Sequence, residues 1–495
     1  MMFFLFLFLL SSTFVLADAR SALPEHLASV HSDRLCGGNL TNLWLEVVAV
    51  VDNSMGMTNQ GLSDVAANIV SVFANSRIGI NPLADRTTRV GIVTYSAAAQ
   101  TVANLDQFQS TDDLFDGVFA ALSQVSNTEE SYLANGLFAA EQVLAEGRKS
   151  ANRSQFQQVV IVYASTYKGT GELSPLPVAE RLRAHGVTVI TVAYNQGGGD
   201  DSLMAQLAKI ATPHNNFSNT DLGGNVLGEI QSALLQANCY CPNGWTPLRQ
   251  VYTDVFSYRY GVCLQAIGLQ AIWRAAQHAC QNRRDKSHLV VEFNADKHNY
   301  VMQLVQNFTG VVEPYTYHIG LSLFKGKWSW EQAKGSDPIP IDENGWTHWN
   351  PDFPIASSTF TAGLNQQWDT ELKTGWQNVD PLRTGANYVC QVVACDTENF
   401  YLLKNTTAFQ QPYTYQSHRT VVLAGRLVVG AADGPASLKG AAVERLDSWI
   451  DDVGHDIQTK CEIATEWENT DPFSNTQFYV CEVASCDIGN YCDQI

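Results

Sequence analysis

Between Cys36 and Cys239, apolar runs rich in valine and isoleucine alternate with segments of helical periodicity. The runs are nearly uninterrupted, which is typical of parallel strands buried on both faces. They cover Leu43–Asp52, Arg89–Ser96, Gln158–Ser165 and Val187–Tyr194. The helical segments are Phe115–Val125, Leu133–Gly147, Pro175–Gly186 and Asn225–Asn238. This alternation predicts a doubly wound, Rossmann-like α/β domain over residues 36–239, with helices on both faces of a mostly parallel sheet.

The loop after the first predicted strand is a candidate functional site, because ligands of doubly wound sheets bind at the carboxyl ends of the strands. It reads Asp52-Asn53-Ser54-Met55-Gly56, and a helix is predicted to begin near Thr58. Aspartate and serine oxygens are ligands for hard cations. The same residue types routinely cap helices and stabilise turns. The residues of this loop leave both roles open.

The first domain resembles the von Willebrand factor type A domain in strand order, helix spacing and the Asp52-x-Ser54 turn. Such domains often hold Mg²⁺ through D-x-S-x-S in this loop, a threonine in a second loop and an aspartate in a third. The resemblance assigns Asp52, Ser54 and Ser131 to three of these positions. Gly56 replaces the second serine, and Ala164-Ser165-Thr166 replaces the expected T-D-G. With one carboxylate, Mg²⁺ binding is expected to be weak, and the capping role is favoured.

After Asn238 the helical pattern ends in a segment punctuated by cysteine, proline and glycine, which predicts a second domain over residues 240–396. Several landmarks in this domain, taken in order, resemble an α+β C-type lectin-like domain. They are Cys241–Trp245 with Cys263, Ile272–Cys280, His318–Trp330 and Tyr388–Gln391. This resemblance implies the disulfides Cys241–Cys263 and Cys280–Cys390. A Cys36–Cys239 disulfide is expected in the first domain, since chain ends of doubly wound domains commonly lie close together and some type A domains have such a bond.

Sugar binding in the C-type lectin family depends on Ca²⁺, which an E-P-N or Q-P-D tripeptide and a W-N-D tripeptide hold through oxygen ligands. In this chain the two positions read Phe353-Pro354-Ile355 and Trp376-Gln377-Asn378. Neither tripeptide therefore matches the family's Ca²⁺ ligand pattern. Four residues supply oxygen atoms for a cation site at shifted positions, although ordinary surface roles are favoured: Asp352, Asp369, Glu371 and Asn378.

Tryptophan is concentrated between Trp273 and Trp376. Four of these residues are candidates for stacking on a sugar ring: Trp346, Trp349, Trp368 and Trp376. Tryptophan also anchors protein–protein contacts. Burial in the core is the favoured role for most of them, because tryptophan is usually well buried.

The amino terminus joins an apolar run to the cleavage pattern Ala17-Asp18-Ala19, which predicts a signal peptide over residues 1–19. No later run approaches the roughly 20 apolar residues of a membrane span. The 11 cysteines, all beyond this segment, favour an oxidising compartment. A secreted, extracellular protein is expected, with candidate glycosylation sites at Asn39, Asn152, Asn216, Asn307 and Asn405. The odd number of cysteines leaves open a disulfide-linked oligomer.

The last segment, residues 397–495, contains an internal repeat. Tyr388–Tyr401 recurs as Tyr479–Cys492 with the same Y-V-C-x-V-x-x-C-D frame. Thr420–Ala431 is strand-like, and Ser437–Val453 has the pattern of an amphipathic helix. A diverged or partial C-type lectin-like module is predicted, and a different fold with a similar cysteine ending remains the alternative.

Charge and domain order direct the functional prediction. The net charge of −19 argues against binding nucleic acid or anionic membrane, and no nucleophile elbow, zinc helix or P-loop indicates an enzyme. The domain order resembles secreted nematode C-type lectin-domain proteins associated with surface recognition and innate defence. This resemblance implies extracellular glycan or glycoprotein partners, with Ca²⁺ or Mg²⁺ only at degenerate sites. A metal-independent, protein-binding adhesion or scaffold protein is the alternative.

Overall fold

The computed structural model describes residues 31–80, 86–150, 153, 155–195, 201–220, 224–342, 344–369 and 371–400, and short strands between 418 and 482. The predicted signal peptide (1–19), Asn152, Asn405 and the predicted helix Ser437–Val453 lie outside the described residues. The chain forms two compact units. The first unit comprises residues 35–265 and the described residues from 393 onward, and the second comprises residues 31–34 and 266–392.

The first unit is built around a six-stranded sheet with the order β3-β2-β1-β4-β5-β6. Its strands are β1 (Leu45–Asp52), β2 (Arg89–Tyr95), β3 (Ala99–Ala103), β4 (Gln157–Ala164), β5 (Thr188–Ala193) and β6 (Asn216–Ser218). Neighbouring strands are parallel except for β3, which runs antiparallel to β2. Val50 of the central strand β1 lies opposite Val93 of β2 and Val162 of β4.

Helices cover both faces of this sheet. They are α1 (Thr58–Phe73), α2 (Thr111–Ala121), α3 (Leu133–Ser150), α4 (Leu176–Ala184), α5 (Asp201–Ile210) and α6 (Val226–Ala237). Alternate residues of β1 belong to different cores: Val47 packs in one core with Leu62 of α1, and Val48 packs in the other with Leu137 of α3. Because β1 is buried on both faces, its sequence is apolar without polar alternation.

The α/β architecture predicted for the first domain is confirmed. The structure adds three elements that were not predicted, β3, β6 and α5. The edge strand β3 is only partly buried and β6 has three residues, so neither carries a long apolar run. Helix α2 begins at Thr111, ahead of the predicted Phe115, because the Ser110 side chain caps it by accepting a hydrogen bond from the Asp113 N–H at 3.0 Å.

A buried ionic network lies beside the amino-terminal end of the central strands. Glu46 of β1 pairs through one carboxylate oxygen with Arg89 of β2 and through the other with Arg153, at 2.5 Å in each case. Arg89 also pairs with Asp106 and donates to the Gly147 carbonyl at 2.9 Å. Glu46 and Arg89 are 2% and 0% exposed, so each charge depends on its partners rather than on water.

The chain then runs through the antiparallel pair β7 (Thr246–Arg249) and β8 (Arg259–Ile272). The second unit contains the last residues of β8 and the following elements: α7 (Trp273–Arg283), β9 (His288–Leu289), α8 (Ala295–Gln306), β10 (Thr316–Phe324), β11 (Lys327–Trp330), β12 (Ile339–Pro340), β13 (Ala362–Gln367), β14 (Thr374–Val379) and β15 (Gly385–Val393). The strand order is β12-β11-β10-β15-β8, with the β13–β14 hairpin paired to β10 and β9 paired to β15. β10 and β15 are parallel, whereas β11 and β13 run antiparallel to β10.

Disulfides join Cys36 to Cys239 and Cys241 to Cys263 in the first unit, and Cys280 to Cys390 in the second. These are the three pairs named from the sequence. In the tail, the strand-like run Thr420–Ala431 contributes to two strands, β16 (His418–Leu423) and β17 (Arg426–Ala431), which pair antiparallel. A second short pair joins β18 (Glu462–Ile463) to β19 (Cys481–Glu482). Within the described part of the chain, no helix combines the length and apolarity needed to cross a membrane.

Candidate functional site

Asp52, the last residue of β1, is a fully buried carboxylate at the carboxyl edge of the first sheet. Its Oδ1 accepts a hydrogen bond from the Ser54 N–H at 2.9 Å. Its Oδ2 accepts from the Ser165 hydroxyl at 2.7 Å and from the Ser165 N–H at 3.3 Å. β1 and β4 are parallel neighbours, so their carboxyl ends meet and Ser165, directly after β4, reaches Asp52. Donors from the protein thus bind both carboxylate oxygens.

Three hydroxyl groups of the adjoining loops are buried without a hydrogen-bond partner among the described residues: those of Ser54, Ser131 and Thr166. Ser54 and Ser131, both assigned as metal ligands by resemblance, are completely buried. Buried hydroxyls of this kind are satisfied in proteins by ordered water or by another ligand. The loops of the first unit therefore keep oxygen atoms at two of the predicted ligand positions.

Gly56 lies against the third loop. A β-carbon at position 56 would lie 3.2 Å from the Thr166 methyl group and 3.3 Å from Ser165 Oγ. Both distances are at the tight end of van der Waals contact, so a serine at this position requires Thr166 to move. Two of the departures from the type A pattern, Gly56 for serine and Thr166 for glycine, therefore offset each other in volume.

These residues do not fit a stable Mg²⁺ site. Mg²⁺ in proteins is usually held by one or two carboxylates in near-octahedral geometry. Asp52 already accepts hydrogen bonds at both oxygens, and Ser165 donates to Asp52 where the family's aspartate would add a second negative charge. The unpartnered hydroxyls accept water as readily as a cation. Among the described residues, no group of three or more His, Cys, Asp and Glu side chains is suited to hold a metal ion.

In the second unit, Asn378 is the residue that the resemblance aligns with the aspartate of the lectin W-N-D tripeptide, and its side chain is 2% exposed. Its Oδ1 accepts a hydrogen bond from the Ile355 N–H at 2.7 Å. Its Nδ2 donates to the carbonyls of Ile355 and Phe360 at 2.8 Å and 3.0 Å. Phe353 and Ile355 carry no side-chain oxygen. The Asn378 amide thus binds the loop directly, and this arrangement does not fit the family's Ca²⁺ site.

Replacing Asn378 by alanine is expected to lower the free energy of unfolding of the second unit by about 2 kcal/mol, since buried hydrogen bonds contribute about 1 kcal/mol each. Ile355 is 44% exposed, so water replaces part of what is lost. Denaturant titration measures the loss, and hydrogen exchange of residues 351–360 should accelerate. Asn299→Ala, at an exposed position of α8, is the matched control and should change stability little. If hydrogen exchange of residues 351–360 were unchanged in Asn378→Ala, Asn378 would not be what holds this loop.

The other predicted oxygen donors do not converge on a cation site. Asp369 and Glu371 lie in the turn between β13 and β14, where each pairs with Lys373 Nζ, at 3.2 Å and 2.6 Å. Asp352 is exposed on the loop before Phe353. Of the four predicted donors, two therefore neutralise a lysine, one faces solvent, and Asn378 holds the loop.

The four candidate tryptophans have different environments. Trp376 is 1% exposed and belongs to the core of the second unit. Trp346 and Trp349 are half-buried and pack edge-on against Trp376, with ring centroids 5.1 Å and 5.7 Å away. Trp368 is 47% exposed. Three of the four candidates therefore keep ring surface accessible to a ligand, whereas Trp376 serves packing.

Glu292 is a fully buried carboxylate that the motif analysis did not identify. It accepts hydrogen bonds from Trp376 Nε1 at 2.7 Å, from the Tyr317 hydroxyl at 3.2 Å, and pairs with His298 Nδ1 at 2.9 Å. Burial raises the pKa of Glu292, but the charge and hydrogen bond of His298, with those of Trp376 and Tyr317, outweigh burial and lower the pKa overall. The sequence feature that could have identified Glu292 is its position as the single acidic residue inside the apolar run Leu289–Phe293.

The predicted glycosylation sites differ in accessibility. Asn39 and Asn307 are exposed. Asn216 is half-buried in β6, where its Oδ1 accepts from Thr191 at 2.6 Å and its Nδ2 donates to the Met204 carbonyl at 3.1 Å. Attachment of a glycan would replace one of the two hydrogens on Asn216 Nδ2, and this position is less accessible than Asn39 and Asn307.

Comparisons with known proteins agree with the geometry of the first unit. Residues 46–233 match the family model of the von Willebrand factor type A domain. The chain is also similar to C-type lectin domain-containing protein 160 of Caenorhabditis elegans, with 26% identity over 378 residues, or 74% of this chain and 56% of that protein. The chain thus spans about half the length of this relative.

Two solved structures show weaker overall likeness. Proximal thread matrix protein 1 of the mussel byssus is 20% identical with a TM-score of 0.31, covering 41% of this chain and 46% of that one. The vWF domain of the type V pili tip protein Mfa5 of Porphyromonas gingivalis is 13% identical with a TM-score of 0.30, covering 39% and 95%. Residues 46–233 thus match the von Willebrand factor type A model, and the chain is similar over 74% of its length to a nematode C-type lectin domain-containing protein.

Proposed function

We propose that this chain is a secreted recognition protein that binds extracellular carbohydrate or glycoprotein ligands without a divalent cation, in surface recognition or innate defence. The observation that carries the proposal is the Asn378 side chain, which binds the backbone of Ile355 directly where the lectin family places calcium ligands. A loop held in this way needs no ion to keep its shape. Ligand recognition then depends on the side chains beside the loop.

The arrangement of the second unit supports a C-type lectin-like assignment for residues 240–396. Helix α7 is joined to β15 by Cys280–Cys390, as the resemblance implies for the family's helix and last core strand. The H-I-G-L segment lies in β10, and β11 with Trp328 and Trp330 follows it as an antiparallel neighbour. The diverged lectin-like module over residues 397–495 rests on the repeated cysteine frame alone.

Secretion is proposed from the signal-peptide pattern of residues 1–19 together with the three disulfides. Recognition is proposed in place of catalysis because the type A match and the lectin-named relative are of classes that typically bind rather than catalyse. The net charge of −19 favours neutral or glycoprotein ligands over nucleic acid and anionic membrane.

Metal independence is tested by titrating Ca²⁺ and Mg²⁺ into chelator-stripped mature protein in a calorimeter and by a glycan array with and without chelator. We expect no binding heat and the same array signal in both conditions. Heat that Asp52→Ala removes would place a Mg²⁺ site on the type A domain. An array signal abolished by chelator would identify a calcium lectin. Capture of a deglycosylated protein partner, with no glycan bound, would favour the adhesion or scaffold alternative.

A further inference from the structure

Two arginines lie opposite each other on the β7–β8 hairpin of the first unit. Arg249 of β7 is the cross-strand partner of Arg259 of β8. Directly opposed residues of an antiparallel pair point to the same face of the sheet, with β-carbons about 5 Å apart, and like charges in this position repel each other. Both residues are half-buried. The hairpin therefore places two positive charges side by side in a chain whose net charge is −19.

No carboxylate among the described residues compensates this pair. Neither Arg249 nor Arg259 forms a salt bridge there, and Asp254, the acid of the hairpin loop, pairs instead with His214 at 3.0 Å. Burial, together with the positive charge of Arg249, lowers the pKa of Arg259 to about 10, which leaves Arg259 charged at pH 7. The charge of Arg249 therefore acts on Arg259 with no acid to offset it.

Arg259 is held in place by the end of α6. Its Nη1 donates to the Cys239 carbonyl at 2.9 Å, just beyond the helix, where the negative end of the helix dipole favours a cation. Gln236 of α6 accepts from the Arg259 N–H at 2.9 Å and donates to the Arg259 carbonyl at 3.3 Å. The bond to Cys239 is the only one from the Arg259 side chain to a described residue, so most of its guanidinium donors remain unused.

Arg249 has no such structural contact. Its side chain donates no hydrogen bond to any described residue, and its Nε is buried without an acceptor. A buried donor of this kind is uncommon in native proteins. The residue as a whole is half-buried, so the end of the guanidinium group is open to solvent. A negatively charged ligand would supply the acceptors and the counter-charge that both arginines lack.

We propose that Arg249 and Arg259 form a binding site for a tetrahedral oxyanion, the charged group of a sulfate or phosphate ester. The planar guanidinium group matches these anions in geometry and forms paired, charge-assisted hydrogen bonds with their oxygens. One arginine is sufficient for the two oxygens of a carboxylate, whereas two arginines can share the three terminal oxygens of a sulfate or phosphate ester. The site lies outside residues 46–233 and away from both metal-ligand loops, so this inference goes beyond the proposed function and does not depend on it.

The test uses the mature full-length protein, titrated in a calorimeter with inorganic sulfate, inorganic phosphate and acetate at constant ionic strength. We expect sulfate and phosphate to bind at least about tenfold more tightly than acetate. Arg249→Gln should weaken this binding at least about tenfold, because it removes charge-assisted hydrogen bonds. Arg148→Gln, at an exposed arginine of α3 in the same unit, is the matched control and should leave binding unchanged. Titration with p-nitrophenyl sulfate and p-nitrophenyl phosphate then identifies which ester is preferred.

Thermal unfolding distinguishes a binding site from a structural role. Without sulfate or phosphate, Arg249→Gln removes a like charge and no hydrogen bond to the protein, so its Tm should equal or exceed that of wild type. Added sulfate should raise the Tm of wild type and of Arg148→Gln, but not that of Arg249→Gln, because only a ligand that binds the folded state stabilises it.

The inference would be overturned if wild type bound neither sulfate nor phosphate, or if a folded Arg249→Gln protein bound them as tightly as wild type does. A Tm of Arg249→Gln clearly below that of wild type in oxyanion-free buffer would assign Arg249 to the fold instead. Acetate binding as tight as sulfate binding would overturn the tetrahedral ligand class. The glycan array that tests the proposed function is unaffected by any of these outcomes.

Discussion

Replacing Glu46 by glutamine is expected to lower the free energy of unfolding of the first unit by about 3–5 kcal/mol, the usual cost of removing one partner from a buried ion pair. Glu46 is the only carboxylate bonded to Arg153 among the described contacts, and it shares Arg89 with Asp106. The amide carries no charge, so the two guanidinium groups remain buried with one fewer counter-ion. The cost comes mainly from these uncompensated charges.

The loss is measured by denaturant titration, with hydrogen exchange of β1 and β4 amides to assign it to the first unit. Glu141→Gln is the matched control, because Glu141 also pairs with an arginine, Arg181 at 2.6 Å, but the two side chains are 22% and 42% exposed. An exposed pair contributes about 0–1 kcal/mol, so the control should change stability little. Similar losses of stability in the two variants would show that burial does not determine the energetic contribution of the Glu46 network.

We expect the free energy of unfolding of Glu331→Gln, taken relative to wild type, to be about 3 kcal/mol higher at pH 8 than at pH 4. Burial raises the pKa of Glu331 to about 7 from the ordinary value of 4.5, and hydrogen bonds from Gln277 and Gln281 only partly oppose it. Glu331 Oε1 accepts from Gln281 Nε2 at 2.7 Å, whereas Oε2 is buried without a partner among the described residues. The carboxylate is therefore poorly solvated when it is charged.

The sign follows from proton binding. Between pH 4.5 and about 7 the folded protein keeps the Glu331 proton, whereas the unfolded chain has released it. The folded state binds more protons in this window, so the contribution of Glu331 to stability is lost as the pH rises through it. Glutamine does not titrate and retains the oxygen that accepts from Gln281. The free energy of unfolding of the variant relative to wild type should therefore rise with increasing pH.

The comparison with wild type is required because buried histidines act in the opposite direction. Burial lowers the pKa of His288 and His318 to about 4, so their contribution to stability is lost as the pH falls below 6.5. Denaturant titrations at pH 4, 6 and 8 give the difference between variant and wild type, in which the histidines cancel. Glu313→Gln, at an exposed acid, should show a constant difference. If the stability difference between Glu331→Gln and wild type were the same at all three pH values, the raised pKa of Glu331 would be contradicted.

The two units share a feature that bears on the proposed function. In each, a protein hydrogen bond occupies a position where the resembled family uses a metal ligand: Ser165 donates to Asp52 in the first unit, and Asn378 binds Ile355 in the second. Both contacts join segments that a cation would otherwise connect. This is why we expect chelators to leave recognition intact.

Local sequence patterns were sufficient for the architecture of the first domain. β1 is buried on both faces, so its burial is visible in ten successive residues of the chain, and the helices show their buried faces by periodicity. Short or exposed elements, such as β6 and β3, leave no such pattern and were missed. The same reasoning identified the loop after β1 but not which of its two roles the residues perform.

Only the tertiary structure decided the chemistry of the sites. Asp52 and Ser165 are separated by 113 residues, and Glu292 and Trp376 by 84. Such side-chain contacts depend on how distant strands are placed beside one another, and they leave no periodic trace in the sequence. For this reason Asn378 could be named as a cation ligand from the sequence, while its bonds to the Ile355 backbone, which replace that role, became visible only when strand β14 and the loop were brought together.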